Sequence, residues 1–91
     1  MTTVNMAPRA LKALNKTPDY IQIKLYSWAK DVEEFGLHEI RKTPGFHDEP
    51  LKGIRKGQRS IRLSKAYRAI YRIINNEAQI IEIEEVTKHK Y

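Results

Sequence analysis

Residues 60–86 read SIRLSKAYRAIYRIINNEAQIIEIEEV, and the alternation in this stretch decides the fold class. Successive side chains of a strand point to opposite faces, so Ile61 and Leu63 share one face and Arg62 takes the other. A short turn near Lys65 and Ala66 leads into a second strand over 67–73. Arg68, Ile70 and Arg72 lie on one side of it, Tyr67, Ala69, Tyr71 and Ile73 on the opposite side. Asn75-Asn76 predicts a hairpin turn, both residues tolerating positive φ. The last strand is expected over 78–86, with Ile80, Ile81 and Ile83 as its apolar members. Together these runs predict a three-stranded antiparallel meander with one greasy face and one face studded with arginine.

Upstream, the period changes to that of helices. Residues 2–6 are β-prone and suit a short edge strand. Ala7, Ala10, Leu11 and Leu14 recur at helical spacing, which predicts a helix over 8–16 with Pro8 in its first turn. Thr17-Pro18-Asp19 marks a restart: Thr17 as cap, Pro18 at the first helical position, Asp19 complementing the dipole. Ile21, Leu25, Trp28, Val32 and Phe35 then form one stripe, which makes Trp28 a core residue. Gly36 offers a left-handed C-terminal cap with Leu37 placed against Val32. Residues 37–57 show no sustained period and contain Pro44, Gly45, Pro50, Gly53 and Gly57; so long a connection in a small domain is usually functional or mobile. The expected architecture is α+β: a short N-terminal strand, then two helices packed on one face of a twisted antiparallel sheet of about four strands, forming a single domain over 1–91.

Composition restricts the function. A chain of 91 residues with 41% hydrophobic content supports one modest core. Cysteine is absent, which removes disulfides and thiolate metal sites and suits a reducing compartment such as the cytosol. No apolar run approaches the ~18 residues of a membrane span, and residues 1–9 lack the apolar stretch of a secretion signal. The expected location is therefore the cytoplasm. The net charge is +6, and its distribution is uneven. Ten lysines and arginines fall between Arg41 and Arg72, against only Asp48 and Glu49. Clustered charge of one sign is the footprint of a polyanion partner; the alternative is a solvated basic face without a ligand.

Arginines at alternate positions of adjacent strands make a rigid grid, and a guanidinium matches phosphate oxygens with two parallel hydrogen bonds. Arg62 and Arg68 are the leading candidates, with pairing to Glu82 or Glu84 across the sheet as the structural alternative. The chain ends Thr87-Lys88-His89-Lys90-Tyr91, where extended geometry puts His89 and Tyr91 on one face as potential proton donors or acceptors. His38 and His47 have no such company and read as surface residues. Three scattered histidines without cysteine give no metal-ligand spacing, and neither a phosphate-cradling glycine loop nor a nucleophile motif is present. No cofactor or metal is expected. What remains is acid–base chemistry on a phosphate, for which RNA brings its own nucleophile, the 2′-hydroxyl. Glu49, Arg62, Arg68, His89 and Tyr91 can supply the base, acid and cations. Lys52, Arg55, Lys56, Arg59, Lys65, Arg72, Lys88 and Lys90 are the candidates for holding the RNA backbone.

The segment EPLKG at 49–53, followed by Gly57, Ser60, Arg62-Leu63, Tyr67-Arg68 and Ile70-Tyr71, resembles toxins of the RelE/ParE superfamily. With two N-terminal helices and the terminal His-Lys-Tyr, the likeness spans nearly the whole chain. It implies the toxin of a bacterial type II toxin–antitoxin system, held in check by a cognate antitoxin. The RelE and YoeB-like branches cleave mRNA in the ribosomal A site by 2′-hydroxyl attack, leaving a 2′,3′-cyclic phosphate. Carried across, Glu49 matches the candidate base, Arg62 and Arg68 the strand cations, and His89 with Tyr91 the C-terminal acid–base pair. YoeB-like toxins set His and Tyr side by side, whereas Lys90 separates them here, and RelE-like toxins carry lysines where this chain has Ser60 and Arg62. ParE-like members share the fold and inhibit DNA gyrase without nuclease activity, and a non-catalytic RNA-binding module is a third reading. Glu49, His89 and Tyr91 have no purpose in a gyrase binder, and a passive RNA binder would keep the arginines and dispense with His89; the motif match favours the nuclease.

Overall fold

The structure, a computed structural model, describes residues 1–88. In chain order the elements are β1 (Thr3–Met6), α1 (Pro8–Leu14), α2 (Asp19–Phe35), α3 (Leu37–Ile40), β2 (Glu49–Pro50), β3 (Gln58–Arg62), β4 (Tyr67–Asn75) and β5 (Ile80–Lys88). The strands form one sheet in the order β1-β5-β4-β3-β2. The expected antiparallel sheet of about four strands is thus a mixed sheet of five: β1 runs parallel to β5, while β2, β3, β4 and β5 pair antiparallel. Two residues are too few to show alternation, so β2 left no signal in the sequence. Its Pro50 lacks an N–H, which restricts it to an edge, and β2 is the edge.

The apolar face of the meander carries the helices. Ile61, Ala69, Tyr71, Ile81 and Ile83 pack in one cluster with Ala10, Leu14, Ile21, Leu25, Trp28 and Val32. Trp28 is fully buried, its ring centroid 5.1 Å from that of Tyr71. The stripe of α2 stops one member early, because Phe35, the final helical residue, is exposed.

Local punctuation differs from expectation in three places. Thr17 does not cap α2: its hydroxyl donates to the Leu14 carbonyl at 2.6 Å and so closes α1, while Pro18 takes the cap position in extended geometry. That bond also ends α1 at Leu14, short of Lys16. Gly36 has φ +88° and ψ 149°, a region outside the left-handed well and essentially reserved for glycine. Its N–H completes a last helical bond to Val32, and the chain then bends straight into α3, burying Leu37. In the β4–β5 turn, Asn75 does not adopt positive φ but accepts the Ala78 N–H on its side-chain oxygen at 2.8 Å; the positive φ falls on Gln79.

Residues 37–57 are built from short pieces: α3, single 3-10 turns at Pro44–Phe46 and Gly53–Arg55, and β2 between them. The consequence for function lies in the register. Glu49 pairs with Ser60, Ser60 with Ile70, and Ile70 with Glu85, so these four residues form one row on the helix-free face. Arg62, Arg68 and Thr87 form the next row.

Candidate active site

Alternation on β3 and β4 directs Ser60, Arg62, Arg68 and Ile70 away from the helices, and the pairing of β2 with β3 brings Glu49 alongside. The result is a groove of about 350 Å³ lined by Glu49, Leu51, Arg55, Ser60, Arg68, Ile70 and Thr87. Arg68 lines it from β4. Its Nη1 donates to Ser60 Oγ at 3.4 Å and sits 3.7 Å from Glu49 Oε1. The Arg68 side chain is 23% exposed and that of Glu49 is 60% exposed, so the cation is held in place while the carboxylate stays accessible. Ile70 is buried although it lies on the open face, giving the groove an apolar floor. Two of the candidate catalytic residues, Glu49 and Arg68, therefore meet in space.

Arg62 pairs directly with Arg68 across β3 and β4. Like charges facing each other on a sheet are destabilising. Arg62 has no hydrogen bond or ion pair among the described residues, and Arg68 is only partly offset by Glu49. The expected alternative, pairing of either arginine with Glu82 or Glu84, does not occur. Instead a bulge in β5 shifts the register between Ile70/Glu85 and Tyr71/Ile83. Glu84 and Glu85 both then reach neighbouring cations. Arg72 Nε lies 3.2 Å from Glu84 Oε1, and Arg55 Nη1 lies 2.9 Å from Glu85 Oε2. The Gln58 amide donates to Glu84 at 2.9 Å; this bond, aided by Arg72, holds the Glu84 carboxyl below its usual range against the opposing effect of burial. The hydrogen bond and charge of Glu85 raise the pKa of Arg55.

The candidate RNA-backbone residues thus separate into groups. Lys52, Lys56 and Lys65 are exposed. Arg55 and Arg72 are already engaged by carboxylates on the same face. Arg59 is turned away from the open face and committed to the interior: its Nε lies 2.6 Å from Oδ1 of Asp48, whose side chain is 1% exposed. Burial opposes the Arg59 charge, but the bond and charge of Asp48 outweigh it and raise its pKa. Tyr71 donates its hydroxyl to the other Asp48 oxygen. Desolvation first, and Asp48 second, push the Tyr71 phenol far above its ordinary range, with Arg59 partly countering. This Arg59–Asp48–Tyr71 cluster fastens the residue preceding Glu49 to β3 and β4, and so fixes where Glu49 enters the groove. Asp48 and the groove residues Leu51, Ser60, Ile70 and Thr87 are not among the sequence candidates; for Asp48 the one local signal is its adjacency to Glu49 and Pro50. Lys88 lies beyond the groove, its Nζ 5.8 Å from the centre of the Tyr67 ring. His89, Lys90 and Tyr91 lie outside the described residues. Among the described residues, no group of three or more His, Asp or Glu side chains could hold a metal ion, and no helix is long and apolar enough to cross a membrane.

No protein-family model matches the chain, and no curated protein sequence does. Solved structures do. The chain is similar to a chain of a RelBE toxin–antitoxin complex from Mycobacterium tuberculosis, with a TM-score of 0.71 and 25% identity, covering 97% of this chain and 98% of that one. It is also similar to a chain of the archaeal RelE–RelB complex from Pyrococcus horikoshii (TM-score 0.73, 23% identity, 96% and 93% covered). A third likeness is to a chain of the YoeB–YefM complex from Staphylococcus aureus (TM-score 0.73, 17% identity, 99% of both chains). At such identities the last two speak for the fold alone.

Proposed function

We propose that this chain, which has the fold of the RelE/ParE superfamily toxins, is the toxin of a bacterial type II toxin–antitoxin system and a ribosome-dependent mRNA endoribonuclease acting in the cytoplasm. The observation that carries the reading is the approach of the Glu49 carboxylate to within 3.7 Å of Arg68 on an open sheet face, directly beside Arg62, which has no ion pair among the described residues. Two facing arginines, with the Glu49 carboxylate beside Arg68 alone, suit a phosphodiester, whose negative charge relieves their repulsion.

The chemistry follows from these positions. Glu49, exposed at the groove edge, takes the proton of a 2′-hydroxyl, and the freed oxygen attacks the adjacent phosphorus. Negative charge grows on the non-bridging oxygens, where Arg68, oriented by Ser60, and Arg62 stabilise it. The bond to the 5′-oxygen breaks, leaving a 2′,3′-cyclic phosphate, and His89 or Tyr91 donates a proton to the departing oxygen. Because Arg68 is pinned by neighbours on β2 and β3, little reorganisation is needed as charge develops. A cognate antitoxin would silence the protein by covering this basic face or displacing the terminal segment; the three similar structures are themselves complexes with RelB or YefM partners.

Expression of the wild type and of Arg68→Ala, with transcriptome mapping of mRNA 5′ ends, tests the reading. The wild type is expected to cut within codons at the A site. Folded Arg68→Ala is expected to lose growth inhibition, with cleavage down by roughly 10²–10³-fold. Full toxicity in the folded variant would refute the phosphate-clamp role. Supercoiling defects without cuts would assign the chain to gyrase inhibition.

A further inference from the structure

A second concavity lies on the helix side of the sheet, at the far end of β5 from the β4–β5 turn. It encloses about 440 Å³, and its wall carries Arg9, Lys12, Lys16 and Lys88 around Tyr67 and Val86, without one carboxylate among its lining residues. The cations come from separate elements: Arg9 and Lys12 from α1, Lys16 from the segment after it, and Lys88 from β5. Helix electrostatics account for only part of this. Lys12, in the last turn of α1, complements the helix dipole, but Arg9 stands in the first turn, where a cation is unfavourable. Arg9 is nonetheless anchored there, its Nε donating to the Glu84 carbonyl at 2.9 Å, which leaves both terminal nitrogens of the guanidinium for a ligand. Lys12 and Lys16 are exposed and have no ion pair among the described residues. Arg9 feels the Glu84 carboxylate, but among the described residues Lys12, Lys16 and Lys88 have no ion pair, so the wall carries an excess of positive charge that favours an anion.

We infer that this cavity binds the phosphodiester backbone of RNA flanking the cleaved bond. The inference rests on the nuclease reading for its occupant. Consecutive residues connect the two sites: Thr87 lines the catalytic groove and Lys88 lines the cavity on the opposite face. A strand leaving the groove therefore needs only to pass around the end of β5 to enter the cavity. Phosphates suit the wall better than stacked bases, because Lys88 already covers the Tyr67 ring.

The test uses the full chain and a short single-stranded RNA with every 2′-hydroxyl methylated, so that it binds uncut. Fluorescence anisotropy across a salt series gives the slope of log affinity against log salt concentration. Each phosphate neutralised on a single strand contributes about 0.7 to that slope. Lys12→Gln/Lys16→Gln is expected to lower it by about 1.4, and Arg68→Ala by about 0.7, with the losses additive in the triple variant. An unchanged slope in Lys12→Gln/Lys16→Gln, with the helices intact by circular dichroism, overturns the inference. Loss of binding to an oligoglutamate peptide with an unchanged RNA slope overturns it in favour of an acidic protein partner. Cleavage by the unaltered chain is scored separately on programmed ribosomes. A lowered slope in a chain that never cuts mRNA keeps the cavity as an RNA site and removes the nuclease reading; cutting with an unchanged slope does the reverse.

Discussion

Replacing Arg59 with methionine isolates the cluster that fixes Glu49. Methionine preserves most of the buried stem but removes the charge, leaving Asp48, 1% exposed, with the Tyr71 hydroxyl as its side-chain partner among the described residues. Removing one partner of a buried ion pair costs about 3–5 kcal/mol, since an uncompensated charge stays behind. The surviving Tyr71 bond places Arg59→Met at the low end, about 3 kcal/mol. A domain of 91 residues has a total stability of roughly 5–14 kcal/mol, so the variant should still fold, keeping roughly 2–11 kcal/mol. Its Tm should fall by about 12–24 °C, taking 4–8 °C per kcal/mol for a domain of this size. Urea unfolding followed by circular dichroism measures the loss, and Arg59→Met/Asp48→Asn provides the control. The double variant buries no net charge and keeps an acceptor for Tyr71, so it should recover most of the deficit. A loss under about 1 kcal/mol in Arg59→Met, or a double variant no more stable than the single, refutes the argument that a buried charge pair holds β2 in place.

Other consequences follow from the same geometry. Arg62→Ala removes a like-charge contact with Arg68 and should raise stability by about 0.2–1 kcal/mol while cutting mRNA cleavage; a fall in stability would make Arg62 a structural residue. Tyr71→Phe should cost about 1.5–3 kcal/mol at neutral pH, read by urea unfolding, because Asp48 loses a donor. The Tyr71 phenol is raised in the folded state above its ordinary value of 10.0, so its contribution is whole below that pH and decays as pH climbs above it. Between pH 10 and pH 12 the wild type should therefore lose up to about 1.4 kcal/mol per pH unit more than Tyr71→Phe, and parallel curves would contradict the shift. His89→Gln should slow single-turnover cleavage on programmed ribosomes far more than it weakens RNA binding; equal losses would make His89 a binding residue.

Elements whose signal is local are legible along the chain. The period of Ile21, Leu25, Trp28 and Val32 is a property of one helix, and all four are fully buried. The alternation in β3 and β4 likewise belongs to each strand, and it correctly sent Ile61, Ala69 and Tyr71 to the core and Arg62 and Arg68 to the open face. Which arginines remain available was decided only by tertiary structure. The carboxylates that engage Arg55, Arg59 and Arg72 lie 30, 11 and 12 residues away in the chain. Their meeting depends on a bulge in β5 and on a two-residue strand, neither of which leaves a periodic trace. The parallel pairing of β1 with β5 is equally non-local. A basic patch can thus be read from charge order, but its division into neutralised, buried and open cations requires distances between strands, and electrostatic pairing acts through space rather than along the chain.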